Sequence, residues 1–201
     1  MIAVCEETAA EVPLSSLTMQ CGRGGIELID RWADEWRLLC AEAAEDQPFY
    51  RPEWIGAYFR KYGGPNKLWL ITARRGGRLC LLLPLLEEMA TFSKIPVRRL
   101  RSPVNATCGR FDAVRRAGPE GDAAVRATWN YLKELDGWDL LQFRDALEGS
   151  AVSQIAAAAE ADGFLTMREP DRPNPYVAVP SDPLRLTTAI KFEYGSLIDR
   201  K

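Results

Sequence analysis

The stretch from Leu68 to Glu88, LWLITARRGGRLCLLLPLLEE, constrains the fold more than any other part of the chain. Two apolar runs flank Gly76 and Gly77, and a Gly-Gly connection supplies the positive φ angles of a tight β-hairpin turn. The second run, Leu79 to Leu86, is apolar throughout rather than alternating, which predicts a strand buried on both faces and therefore central in its sheet. Pairing outward from the turn sets Arg75 opposite Arg78, a like-charge pair tolerable only in water, and Ile71 opposite Leu82. The tip is thus expected in solvent and the base in the core. Pro84 has no N–H to give to a ladder, and in the simplest register it stands opposite Trp69 at a hydrogen-bonded position. A bulge or splayed pair is expected there, either as a local irregularity or as a splay that exposes backbone groups to a ligand.

The chain has 201 residues, enough for one substantial domain or two small ones sharing a core. With 47% apolar and 27% charged residues it has the composition of an ordinary soluble globular protein. A net charge of -2 points to neither nucleic acid nor an anionic membrane as partner. Charge is unevenly spread: residues 1–50 carry ten acids against three arginines, whereas residues 94–116 carry seven basic residues against Asp112 alone. The basic stretch reads either as a solvated loop answering the acidic helices or as an anion site for phosphate or carboxylate. Histidine is absent, which excludes imidazole-based triads and histidine-ligated metals within this chain. The five cysteines lack CxxC spacing, so they read as free thiols of a reduced, cytoplasmic protein. The N-terminus lacks a basic leader region, and no apolar run approaches the roughly 20 residues that span a bilayer.

In chain order, residues 1–11 read as frayed and Leu14 to Cys21 as a first strand. From Ile26, apolar residues recur at helical spacing through Trp32, Trp36, Leu39 and Cys40, until Asp46-Gln47-Pro48 closes the helix. Pro52 suits the first position of a second helix and Glu53 its positive end. Further strands are expected at Val97–Arg101, Phe111–Val114, Trp138–Phe143, Phe164–Arg168 and Tyr176–Val179. Helices are expected from Pro119 to Gly137 and from the N-cap Ser150 to Gly163. Strands and helices interleave around an antiparallel hairpin, so the sheet must be mixed. The expected fold is α/β (α+β), with a largely antiparallel central sheet and helices on both faces. An N-terminal extension and first strand occupy 1–24, the domain 25–180, and a weakly packed tail 181–201.

Four phrases in this order, QPFYRPEWIGAYFRKYGG, LWLITARRGGRLCLLLPLL, WDLLQFRDALEGS and PYVAVP, resemble the first half of the acyltransferase family labelled CelD (cellulose biosynthesis protein) or BioF2-like acetyltransferase. That family belongs to the GNAT superfamily and is built from two GNAT-like halves, a plan similar to the FemAB peptidyltransferases. The resemblance covers roughly residues 25–180. It implies a GNAT-like fold and transfer of an acyl group from acyl-CoA to an amine, in connection with polysaccharide or cell-envelope biosynthesis. It also implies that the acyl-CoA apparatus lies in a second half, so that this chain holds no cofactor and is not active alone. Arg51 stands where family members carry a small capping residue such as serine. The GNAT pyrophosphate loop places Arg or Gln, then Gly three residues on and Gly or Ala five on. Arg60 with Gly63, Arg74 with Gly77 and Arg115 with Gly118 meet the first spacing, and each fails the second at Pro65, Leu79 and Glu120.

Acyl transfer to an amine needs a base or water chain, an oxyanion donor and a proton source for the thiolate. Without histidine these fall to carboxylates and tyrosines. Glu87, Glu88 and Asp112 come into view, and all three read as solvated strand-end charges rather than catalytic groups. Substrate contacts are better placed at Arg51, Trp54 and Tyr58 on one helical face and at Asn105 and Arg110 on the polar loop. Tryptophan and tyrosine at this spacing also suit a core, whereas Arg51 suits an anionic or sugar-like ligand. The expected partners are a small-molecule amine or sugar-like substrate, and a second copy or a second half to cover an unpaired sheet edge. A non-catalytic ligand-binding or scaffolding module of the same fold is the competing reading.

Overall fold

The computed structural model describes residues 12–64, 67–105 and 110–169. The chain divides into two compact units at Met167, and the fold described below is that of the first. The predicted strand at Tyr176–Val179 and the whole of the proposed tail, 181–201, lie outside the described residues.

The Gly76-Gly77 turn forms as expected, with φ of 54° and 81°, joining β2 (Lys67–Arg75) to β3 (Arg78–Phe92). Around this hairpin the sheet runs β1 (Thr18–Gly24), β2, β3, β4 (Ile95–Arg101), β6 (Leu140–Gln142), with β5 (Val114–Arg115) also paired to β3. Every pairing is antiparallel except β4 with β6, so the sheet is mixed and largely antiparallel. Helix α1 (Ile26–Ala41) packs with α2 (Pro52–Tyr58), and α3 (Pro119–Leu132) packs with α4 (Ala151–Ala161). Leu28 of α1 lies over Gly22 of β1, while Gly137, after α3, lies over Trp69 on the opposite face. Leu81, Leu82 and Leu83 in the middle of β3 are wholly buried, as a strand covered on both faces requires. Among the described residues no helix is long and apolar enough to cross a membrane.

The register departs from the simple count in one place. Arg75 pairs with Arg78 and Arg74 with Leu79, but Ala73 pairs with Leu81, so Cys80 is the extra residue of a β-bulge. The Cys80 carbonyl accepts the Arg116 N–H at 2.9 Å. The slip moves every later pair by one: Ile71 faces Leu83, Trp69 faces Leu85, and Pro84 faces Leu70. Pairing with β2 is unbroken through Leu83, Pro84 and Leu85, so the expected splay at Pro84 is absent. On its other side, β3 changes partner between Leu82, paired with Val114, and Leu86, paired with Arg101. Pro84 sits at that changeover, where a missing N–H costs a ladder least.

Three further expectations shift. The first strand begins at Thr18, after a short helical turn at Leu14–Ser16. The predicted strand at Phe111–Val114 shortens to Val114–Arg115: residues 110–113 form no strand, and Phe111 and Ala113 enter the core from irregular backbone, as does Val104. Residues 164–168 form no strand among the described residues. The Phe164 N–H instead closes the end of α4 on the Ala159 carbonyl at 3.0 Å, and its ring meets Trp129 edge-on at 4.9 Å. Leu165 and Met167 are left exposed.

Candidate functional site

The loop after α1 is tied down from within. Trp36 donates its indole N–H to the Tyr50 carbonyl at 2.8 Å, and Ala44 N–H bonds the Arg115 carbonyl at 3.0 Å. This brings Glu45 and Tyr50 against β5 and the start of α4, where they line a pocket of about 140 Å³ with Asp112, Arg115, Glu148 and Ser150. Ser150 caps α4 as the sequence predicts, accepting the Ser153 N–H at 3.2 Å.

Asp112 forms the floor of the pocket. Its carboxylate accepts N–H bonds from Ala113 at 2.8 Å, Val152 at 2.9 Å and Ala151 at 3.0 Å. It is therefore a half-buried cap on α4, not the solvated strand-end charge expected from sequence. Burial pushes its carboxyl above the usual range, against those three donors and Arg115. Burial likewise raises the Tyr50 hydroxyl, and the negative charges of Asp112 and Glu45 raise it further. Arg110, which reaches Glu45 at 3.7 Å, opposes that rise in part.

A second polar cluster lies under α2. Glu88 of β3 holds Arg101 at 2.8 Å and also holds Arg99, while Arg101 donates to the Tyr58 hydroxyl at 3.1 Å. Tyr58 in turn donates to the Val104 carbonyl at 3.0 Å. Burial opposes ionisation of Glu88, but the bonds from Arg101 and Arg99 outweigh it and hold the carboxyl below its ordinary value. Glu88 is thus a half-buried network member, and Glu87 accepts the Trp69 indole N–H at 2.6 Å, so neither is the free strand-end charge expected.

The residues singled out from sequence do not converge on one place. Tyr58 is buried, and its bond to Val104 brings it beside Asn105. Arg51 is exposed and paired with Asp46 at 2.8 Å, leaving α2 without a side-chain cap. Trp54 is partly exposed and packs edge-on against Phe49 at 4.8 Å. Arg110 reaches Glu45 at 3.7 Å, at the rim of the Tyr50 pocket. The basic stretch that opened an anion-site reading is answered largely by carboxylates: Arg98 by Asp139, Arg99 and Arg101 by Glu88, and Arg116 by Glu42 and Glu120.

Of the three arginine and glycine spacings, only Arg115 with Gly118 precedes a long helix, α3. Its first turn carries Glu120 and Asp122, which pair with Arg75 at 2.8 Å and Arg115 at 2.7 Å. The acidic side chains of that first turn repel a further anion, so this helix start does not fit a pyrophosphate. Among the described residues no cluster of acidic or thiol groups could hold a metal ion.

No family model matches the chain, and no curated protein matches it. Among solved structures it is similar to an aminoglycoside acetyltransferase from an uncultured soil metagenomic sample in complex with sisomicin, at 12% identity and a TM-score of 0.39, over 80% of this chain and 96% of that one. It is also similar to a ribosomal-protein-alanine N-acetyltransferase from Brucella melitensis biovar Abortus 2308, at 10% identity and a TM-score of 0.40, over 79% and 100% of the two chains. A third is an aminoglycoside N-acetyltransferase in complex with CoA, at 14% identity and a TM-score of 0.39, over 81% and 95%. Similarity at this level assigns no residue a role, and the site's chemistry rests on its own side chains.

Proposed function

We propose that this chain is an N-acyltransferase domain of GNAT type that binds the acceptor amine in the Tyr50 pocket, in a pathway of polysaccharide or cell-envelope biosynthesis. The order of the four sequence phrases supports the class. The observation that carries the assignment of the amine is the acidic lining of the pocket, where Glu45, Asp112 and Glu148 stand with one cation, Arg115. Carboxylates close to a bound amine favour its ammonium form. Asp112 has its oxygens committed to backbone N–H groups, so Glu45 and Glu148 are the carboxylates left to receive the amine, and Tyr50 is the nearby hydroxyl that keeps its proton. A pocket of about 140 Å³ admits an amine with a small ring or chain, as an amino sugar would present. Acyl-CoA is the co-substrate this class implies, and the first turn of α3 does not fit its phosphates. The unpaired edge expected to recruit a second copy corresponds to the outer side of β1, which pairs with no strand among the described residues.

A second reading, a ligand-binding or scaffolding module without chemistry, is favoured by that same self-neutralised helix start. Thiol release from acetyl-CoA in the presence of amines, glucosamine among them, separates the two. The acyltransferase reading expects turnover that falls by roughly 10²-fold or more in Tyr50→Phe and Glu148→Gln variants. Amine binding with no turnover of any acceptor leaves the second reading in place.

A further inference from the structure

A cleft of about 650 Å³ shares no lining residue with the Tyr50 pocket and takes no part in the function proposed above. It opens on the α3 face of the sheet, at the end where β1 leaves and β2 enters. The observed register explains its lining. Arg23 pairs with Trp69 and Lys67 with Glu87, while Glu87 pairs with Leu100, two residues beyond Arg98. Alternation along each strand then puts Arg23, Lys67, Trp69, Glu87 and Arg98 on one face. Four strands thus deliver three cations and one carboxylate to a single cleft, and Gly24, Gly25 and Gly137 complete its wall.

The cations are held in different ways. The Arg23 guanidinium is stacked 3.6 Å from the centroid of the Trp69 ring, and Nη2 donates to the Asp136 carbonyl at 2.7 Å. That anchors the group while leaving most of its five donors unused. Gly137 makes the close approach possible: its φ is 106°, and a Cβ there would stand 3.2 Å from Arg23 Nη1 and 3.4 Å from Trp69. Arg98 is only loosely engaged by Asp139, at 3.5 Å from Nε. Lys67 has no ion pair among the described residues, although it faces Glu87 across the ladder. Glu87 is oriented by the 2.6 Å bond from Trp69 to Oε2, which leaves Oε1 as an acceptor.

We infer that this cleft binds a phosphorylated polyol, with Lys67, Arg98 and Arg23 receiving the phosphate and Glu87 receiving a hydroxyl. A net positive lining of pointed donors calls for a dianion, and an oriented carboxylate beside them calls for a donor on the same ligand. The volume falls within the roughly 300–1,000 Å³ of small-molecule sites.

Titration calorimetry with glucose 6-phosphate, inorganic phosphate, gluconate and glucose tests this directly. Glucose 6-phosphate should bind saturably and more tightly than the other three. Its affinity should fall about tenfold in Lys67→Gln or Arg98→Gln, each an exposed side chain whose replacement leaves the core intact. It should weaken again when NaCl is raised from about 50 mM to about 500 mM. Glu87→Gln should narrow the preference for glucose 6-phosphate over inorganic phosphate. No saturation by about 10 mM ligand overturns the proposal, as does equal affinity for glucose 6-phosphate and either inorganic phosphate or gluconate. Binding that is indifferent to Lys67→Gln and Arg98→Gln overturns it as well.

Discussion

Replacing Gly121 by alanine sets two physical effects against each other. Gly121 lies in the first turn of α3, where alanine in place of glycine ordinarily stabilises a helix by about 1 kcal/mol. In this fold the added Cβ would stand 2.9 Å from the Arg116 carbonyl carbon, nearer still to its oxygen, and 3.3 Å from its nitrogen. The Arg116 backbone has little freedom to retreat. Its N–H bonds the bulge carbonyl of Cys80 at 2.9 Å, its guanidinium bonds the Leu79 carbonyl at 2.9 Å, and the next N–H, of Ala117, bonds Glu42 at 3.1 Å. Relief of the overlap must break at least one of these, at about 1–3 kcal/mol for a buried group, and adds overpacking strain of about 1–3 kcal/mol. After subtracting the propensity gain, Gly121→Ala should lose about 3 kcal/mol, a fall of roughly 6–12 °C in Tm for a domain of this size. Urea unfolding followed by tryptophan fluorescence reads the loss as a lower midpoint at unchanged slope. A midpoint equal to or above that of the parent protein would refute the argument that the Arg116 turn is pinned.

Other consequences follow from the polar clusters. Asp112→Asn replaces an acceptor-only carboxylate beneath α4 with a group that turns a donor toward the Ala151 and Val152 N–H groups, and should cost about 2 kcal/mol in urea unfolding. The Glu88 carboxyl is held below its ordinary value of 4.5, so its ionisation stabilises the folded state above that pH. The stability advantage of the parent protein over Glu88→Gln should then be full at neutral pH and shrink as pH falls below 4.5 through the folded-state value. Buried Cys40 has its thiol pushed up to about 11, chiefly by burial, so iodoacetamide at pH 8 should leave it unlabelled until the protein unfolds, as peptide mapping would show.

Much of the fold was legible because local chemistry agreed with it. The Gly76-Gly77 turn, the two-faced burial of Leu79–Leu86, Pro52 and Pro119 at helix starts, and the Ser150 cap each follow from short-range rules. The register was not legible, because the bulge at Cys80 is stabilised by Arg116, a residue 36 positions away whose N–H no local pattern announces. That slip decides which side chains share a face, and with it the composition of the cleft around Lys67 and Glu87. The candidate site was visible only in part. Arg110 was singled out from the polar loop and reaches Glu45, but Tyr50 and Glu45 follow α1 in a segment whose position depends on the Trp36 and Arg115 anchors. Asp112 stood out as the one acid in a basic stretch, yet its role as a cap on α4, 39 and 40 residues on, appears only once the chain is folded.

The central claim is that the Tyr50 pocket accepts an amine. Calorimetric titration with glucosamine and, separately, N-acetylglucosamine tests it, since the two share a ring and differ in charge at nitrogen. The account predicts saturable binding of glucosamine at neutral pH, at least about tenfold weaker binding of the N-acetyl form, and loss of the preference in Glu148→Gln. Equal binding of the two sugars, or a preference untouched by Glu148→Gln, would contradict it.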